Sequence, residues 1–142
     1  SCDLAVAAET AQFSTPGVHI GLFCSTPMVA LSRNVAGKHA MELLLTGDMI
    51  PAPRAAEMGL INHAVSPEDL QAATMAMARK IASKSSMTLA TGKRAFYAQR
   101  EMTLSDAYAY ASAVMVDNML AHDAQEGIGA FIEKRAPQWQ DA

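Results

Sequence analysis

His19, Cys24 and Ser25 are side chains capable of chemistry, and all fall in one stretch, "TPGVHIGLFCSTP", from Thr15 to Pro27. His19 could serve as a general base, a role histidine takes near neutral pH. Its plainer reading is a packed or interface histidine. Cys24 lies just before an expected helix start and could be nucleophilic if that helix end stabilised its thiolate. Otherwise it is a small buried apolar residue. Ser25 could orient a substrate or a water at a helix N-terminus, where backbone N–H groups favour anions. It could equally be a plain N-cap, and both roles are compatible. The stretch holds no Asp, Glu or Lys, so the usual acid or base is missing. Elsewhere, Phe131 and Lys134 stand three residues apart, on one face of an expected helix; the plain alternative is a core Phe131 and a surface Lys134. His39, His63 and His122 lack metal-ligand spacing, so no metal is assigned. Glu42 and Glu57 read as solvated helix faces, and Asp48 as a turn residue.

Short strands and many helices must position these residues. "CDLAVAA" (Cys2 to Ala8) reads as a buried strand, "AETAQ" as a turn and "FST" as a brief second strand. "VHIGLF" reads as an extended segment, with Gly21 free to take unusual backbone angles. In that geometry Gly17 and His19 face the same side. A helix is expected from a Ser25 N-cap to a stop near Gly37, with Pro27 in its first turn. "KHAMELLLTG" forms a second helix, ended by Gly47. "PAPRAAEMG" forms a third, ending at Gly59, and "LINHAV" (Leu60 to Val65) is the last strand. Ser66-Pro67-Glu68-Asp69 has the composition of a helix start. After a break near Ser85-Ser86 comes "MTLATGKRAFYAQ". Thr103 with Asp106 caps a long helix, and Asp123 is expected to cap a final one, "AQEGIGAFIEKR", stopped by Pro137. So few short strands do not make a stable sheet alone. The sheet they belong to is expected to be larger, either because this is the later part of a longer fold or because other chains complete it.

The chain has 142 residues, 51% of them hydrophobic and 18% charged, which suffices for a core and argues against disorder. The ten methionines point to adaptable core packing or an oligomer interface, with a methionine-lined ligand groove as the minor reading. A net charge of −3 without a basic block gives no support for a nucleic-acid or anionic-membrane surface. Two cysteines make neither a disulfide framework nor a metal cluster. No apolar run is long enough for a membrane span, and the N-terminal residues do not read as a signal peptide. A soluble protein of a reducing compartment is expected.

"SCDLAVAAETAQFSTPGVHIGLF", then "GKHAMELLLTGDMIPAPRAAEMGLINHAV", then "GIGAFIEKRAP" resemble the crotonase superfamily, the enoyl-CoA hydratase/isomerase group, in order and with its spacing. The resemblance implies an α/β fold, a spiral of ββα units followed by a helical trimerisation region. It divides the chain into the later part of the spiral core (1–65) and a helical oligomerisation region (66–142). It also implies that the chain is only the later portion of the fold. In the family two backbone N–H groups stabilise an enolate, and both would precede Ser1. A hydratase of this family uses two glutamates as general acid and base around one water. The first would also precede Ser1. The second maps onto Thr15-Pro16-Gly17, where hydratases carry a Gln-Pro-Glu-like triplet. Gly17 takes the acid's place and cannot transfer a proton. Ser25 falls where some members place a third carboxylate and others a glycine N–H.

The resemblance further implies that Phe131 and Lys134 contact the adenine and phosphate end of coenzyme A across a subunit boundary, with Phe23 and Ser25 in the substrate wall. The expected function is a crotonase-like protein handling acyl-CoA thioesters, without ordinary two-glutamate hydration. Its substrate is the thioester; no separate cofactor, nucleic acid or membrane is expected, and the assembly is a homotrimer or hexamer. The location is mitochondrial in a eukaryote and cytoplasmic in a bacterium. The alternative is a non-catalytic binding or assembly module, or an inactive fragment. A free-standing helical regulator would explain the helices but not the strand-rich start.

Overall fold

The computed structural model describes residues 2–141. They form two compact units, one up to Met77 and one from Ala78 onward.

In the first unit, strand β1 (Val6–Ala8) pairs in parallel with β4 (His63–Val65), in the register Val6↔His63, Ala7↔Ala64 and Ala8↔Val65. A parallel pair needs a long crossover, and this one carries three helices: α1 (Ser25–Ser32), α2 (Gly37–Thr46) and α3 (Ala52–Glu57). Beside it, β2 (Gln12–Phe13) pairs antiparallel with β3 (Ile50–Pro51).

α2 buries Ala40, Leu43 and Leu44, the spacing of one helix face. They join Leu31, Val35 and Met58 in an aliphatic core. α3 contributes Ala52 and Ala55, which expose no surface and pack with Ile61 among Ala5, Ala7 and Phe13. Methyl side chains let this helix lie close against the strands.

Several elements differ from the sequence expectation. β1 begins at Val6, not Cys2, because Asn62 takes over the pairing of Ala5: Ala5 N–H donates to Asn62 Oδ1, and Asn62 N–H to Ala5 O, both at 2.8 Å. Leu60 and Ile61 N–H groups turn back onto Ala55 O, so β4 starts only at His63. α1 stops at Ser32, where the N–H groups of Asn34 and Val35 converge on Leu31 O. Gly37 opens α2 instead of ending α1. The segment expected to be extended is a 3₁₀ helix, Pro16–Ile20, ended by Gly21 at φ 75°. Its turn is closed by Leu22 N–H on Gly17 O at 2.9 Å.

α4 (Leu70–Ala82) spans the division between the units. Ser66 is not its N-cap as expected but closes the turn that precedes it: Asp69 N–H donates to Ser66 Oγ, which donates to Asp69 Oδ2. The second unit continues with α5 (Ser86–Gln99), α6 (Leu104–Leu120) and α7 (His122–Glu133). Ser85 caps α5 by accepting Thr88 N–H, and Thr103 caps α6 by accepting Asp106 N–H. Asp123 does not cap α7. That place is Ala121's, and Asp123 lies in the first turn, buried.

Neither α5 nor α6 buries a residue fully. Leu104, Tyr108, Met115, Val116, Met119 and Leu120 of α6 are all exposed. Of the ten methionines only Met58 is buried, with Met28 packed against the same core, so core packing accounts for few of them. No helix among the described residues is long and apolar enough to cross a membrane.

Candidate functional site

The loop from Ser14 to Ser25 is anchored by its polar side chains to the end of α2. The last carbonyls of a helix have no partner within it. Here Thr15 Oγ1 donates to Leu43 O at 2.8 Å and Ser14 Oγ to Gly47 O at 2.7 Å. His19 Nε2 lies 3.0 Å from Thr46 O. A carbonyl only accepts, so Nε2 carries the proton of this bond. His19 therefore closes the C-terminus of α2 and packs over Gly47. Gly47 holds the left-handed turn at φ 68°, with no room for a side chain beside the imidazole. The 3₁₀ turn separates His19 from Gly17, and the shared face expected for an extended strand is not formed.

Gly17 sits where the loop folds onto itself. Its N–H donates to Cys24 Sγ at 3.3 Å. A methyl carbon built on Gly17 would lie 2.7 Å from the Leu22 carbonyl oxygen and 2.8 Å from Cys24 Sγ. Both distances are well inside van der Waals contact, and one of the two atoms is backbone. Residue 17 thus has no space for a side chain in this loop. Cys24, not Ser25, is the N-cap of α1, and no side chain caps this helix. Ser25 is the first helical residue, and both its N–H (2.7 Å) and its hydroxyl (3.3 Å) bond Phe23 O. Its hydroxyl is thereby turned away from the capping role. Phe23 is about half exposed, next to exposed Leu22 and Ile20.

A cavity of about 500 Å³ opens in the same unit, with Phe13, Thr15, Leu31, Asn34, Leu60 and Asn62 in its wall. It is mostly apolar with a few polar groups, the usual make-up of a small-molecule site. Thr15 joins this wall to the Gly17 loop.

Phe131 and Lys134 lie in the second unit. Phe131 is 84% exposed, so it is no core residue. Lys134 is not on the helix face expected from its spacing. It is the C-cap of α7, with φ 56° and ψ 39° in the left-handed region. Its N–H donates to Phe131 O (3.3 Å), and Arg135 N–H to Ala130 O (3.0 Å).

A polar network that the sequence did not announce fixes the chain beyond α7. Arg135 presents Nη1 and Nη2 to Glu126 Oε1 and Oε2 at 2.6 and 2.9 Å, and Nε to Glu133 Oε2 at 2.6 Å. Glu126 Oε1 also accepts Gln138 N–H at 2.8 Å. The Arg135 fork, and then the Gln138 N–H, hold the Glu126 carboxyl down at about 2. Asp123 accepts Gln140 N–H and Asp141 N–H at 2.8 and 2.9 Å. Those bonds, led by Gln140 and followed by the Ser85 hydroxyl, lower its carboxyl below the usual range despite burial. Trp139 Nε1 donates to Ser83 O, and its ring rests on Gly127, where a Cβ would meet it at 3.3 Å. The sequence signal for this network was weak, since its partners are separated by many residues. Among the described residues, no three His, Cys, Asp or Glu side chains are placed to hold a metal ion.

The chain matches the enoyl-CoA hydratase/isomerase family profile over residues 1–142. It is 52% identical over 139 residues to the enoyl-CoA hydratase domain-containing protein 3, mitochondrial, of Mus musculus, covering 98% of this chain and 46% of that protein. Two solved structures are close. One is of an enoyl-CoA hydratase from Mycobacterium smegmatis (TM-score 0.93, 48% identity, 97% of this chain and 54% of that one). The other is of human enoyl-CoA hydratase domain-containing protein 3 (TM-score 0.91, 50% identity, 97% and 55%). The chain spans about half the length of the relatives it matches. Its helices and short strands are part of a crotonase fold, with a divergent "GLFCSTP" loop that resembles the domain-containing protein 3 branch. The chain belongs to the enoyl-CoA hydratase/isomerase family.

Proposed function

We propose that the protein handles acyl-CoA thioesters without the two-glutamate hydration of its family. The observation that carries this reading is the closed loop at Gly17. The residue lacks an acid, and its surroundings leave no space for one: the Leu22 carbonyl and Cys24 Sγ occupy the place a Cβ would need. His19 is committed to the end of α2: its Nε2 donates to Thr46 O, which leaves only Nδ1 able to accept a proton. Isomerisation, thioester hydrolysis and decarboxylation would all reuse the oxyanion-stabilising hole; decarboxylation leaves the enolate directly by loss of CO2, while the first two also need a proton-transfer group from outside this loop. The coenzyme A end would be held by Phe131 and Lys134, with Phe23 and Ser25 at the substrate wall. The exposure of Phe131 and Lys134 supports this assignment. The thioester is the substrate, and no further cofactor is needed.

The apolar residues left exposed along α6 support a homotrimer or hexamer. In a eukaryote the protein would be mitochondrial, as the names of its relatives state for themselves; in a bacterium it would be cytoplasmic.

The test is to mix the full-length protein with crotonyl-CoA and follow loss of the conjugated-thioester absorbance. The expected result is no turnover at ordinary family rates; hydration at those rates would refute the reading. The second reading, a non-catalytic binding or assembly module, is favoured by the same missing acid. It is separated from the first by assaying isomerase, thioesterase and decarboxylase products on the same material.

A further inference from the structure

Lys134 stands in a conformation that a residue with a Cβ disfavours. Glycine is the common occupant of this place after a helix. A backbone outlier of this kind persists only when its surroundings impose it, and such outliers gather at functional positions. What imposes it here is the neighbouring residue. Arg135 N–H is tied to Ala130 O, and the Arg135 side chain is locked by both oxygens of Glu126 and by Glu133. Two parallel bonds from one guanidinium fix its plane as well as its position. Glu126 is itself largely covered and is held a second time by Gln138 N–H. The clamp therefore sets the direction in which the chain leaves α7. Phe131 and Lys134 are left exposed on that corner, and no carboxylate pairs with Lys134 among the described residues.

We infer that Arg135, clamped by Glu126, is a positioning residue. It holds Lys134 in its left-handed turn beside Phe131, so that the ammonium is set in advance for the phosphate of the nucleotide end of coenzyme A. The inference rests on the reading that Phe131 and Lys134 take that ligand. A preset cation loses less freedom on binding than a freely moving lysine. The strained turn is the cost of that preset direction.

Coenzyme A affinity of the full-length protein, measured by titration calorimetry alongside thermal melting, tests it. Lys134→Gly relieves the turn and removes the charge, so its melting temperature should rise while affinity falls about tenfold. Arg135→Ala keeps Lys134 yet should also lose about tenfold. The double variant Lys134→Gly/Arg135→Ala should bind no more weakly than Lys134→Gly alone, because the two residues act through one contact. Glu126→Gln keeps the shape of the clamp and weakens it, so a several-fold loss is expected. It replaces Arg135→Ala should the latter not fold. If Lys134→Gly leaves affinity unchanged, the coenzyme A reading itself fails. If Lys134→Gly weakens binding but Arg135→Ala and Glu126→Gln do not, the positioning role alone is overturned. Full recovery in Arg135→Lys, which keeps the charge but not the fork, would also overturn it.

Discussion

The first unit buries leucines where the second buries an aspartate. Leu31, Leu43, Leu44 and Met58 form a contiguous aliphatic cluster up to Met77. From Ala78 onward, the buried residues among those described are Ser85, Asp123 and Ala130. Apolar burial is roughly proportional to area and does not prescribe direction. A buried carboxylate does prescribe it, because it is tolerated only when its hydrogen bonds are satisfied. The α2 face thus secures the first unit by packing and leaves its end to be closed by Ser14, Thr15 and His19. In the second unit, Asp123 and Glu126 instead pin one defined path of chain, Arg135 to Asp141, onto α7 and the start of α5. The apolar residues there point outward, available to other surfaces. The loop at Gly17 is shaped by close contact and the corner at Lys134 by charge.

That contrast has measurable consequences in the full-length protein. Leu44→Ala should be the most damaging single change. Leu44 is 1% exposed, and truncation at such a site costs about 2–5 kcal/mol, read from chemical denaturation. Next is Gly17→Ala. A single methyl must push against the Leu22 carbonyl at 2.7 Å, an overpacking cost of about 1–3 kcal/mol. No measurable loss would mean that the loop yields easily and is not closed as described. Ser85→Ala removes the α5 cap and a hydroxyl partner of Asp123. The cap alone accounts for about 1 kcal/mol, and melting curves should show at least that.

The smallest effect at neutral pH is the acid response. The Asp123 and Glu126 carboxyls are both depressed in the folded state, Glu126 from 4.5 to about 2. Their contribution is therefore complete at neutral pH. For Glu126 it begins to fade near the ordinary carboxylate value and is lost as pH falls through about 2; the Asp123 contribution is lost in the same direction, below its ordinary value. Trp139 is the only tryptophan and sits in the pinned segment, so its emission reports this loss. Glu126→Gln should flatten the response. An unaltered acid profile in that variant would break the contrast between a packed unit and a charge-pinned one.

Local chemistry was legible in the sequence, and distant pairing was not. Thr103, with an acid three residues later, formed the cap its spacing announced; Ser66, with the same spacing, closes a turn ahead of α4 instead. Gly47 ended α2 as a left-handed glycine should. The family pattern carried the fold class. β3 escaped notice because Ile50 and Pro51 are a strand only by pairing with Phe13 and Gln12. The 3₁₀ turn at Pro16 was hidden under an alternation of apolar residues that reads as extended. It is held by Leu22 on Gly17 and by contacts with the end of α2. Ser25 has the chemistry of an N-cap, but its hydroxyl donates to Phe23 O. Asp123 resembled a cap for the same reason, while its partners Gln140 and Asp141 lie 17 and 18 residues away. At the site, Gly17 was legible as a residue with no group to transfer a proton. That a side chain has no space there required the positions of Leu22 O and Cys24 Sγ.

The most direct measurement compares crotonyl-CoA hydration by the full-length protein and by its Gly17→Glu variant, with melting temperatures recorded for both. The expected result is no hydration at ordinary family rates by either protein, and a lower melting temperature for Gly17→Glu. A variant that hydrates crotonyl-CoA at family rates with unchanged stability would contradict the account, because it would show that the loop at residue 17 accepts the acid it lacks.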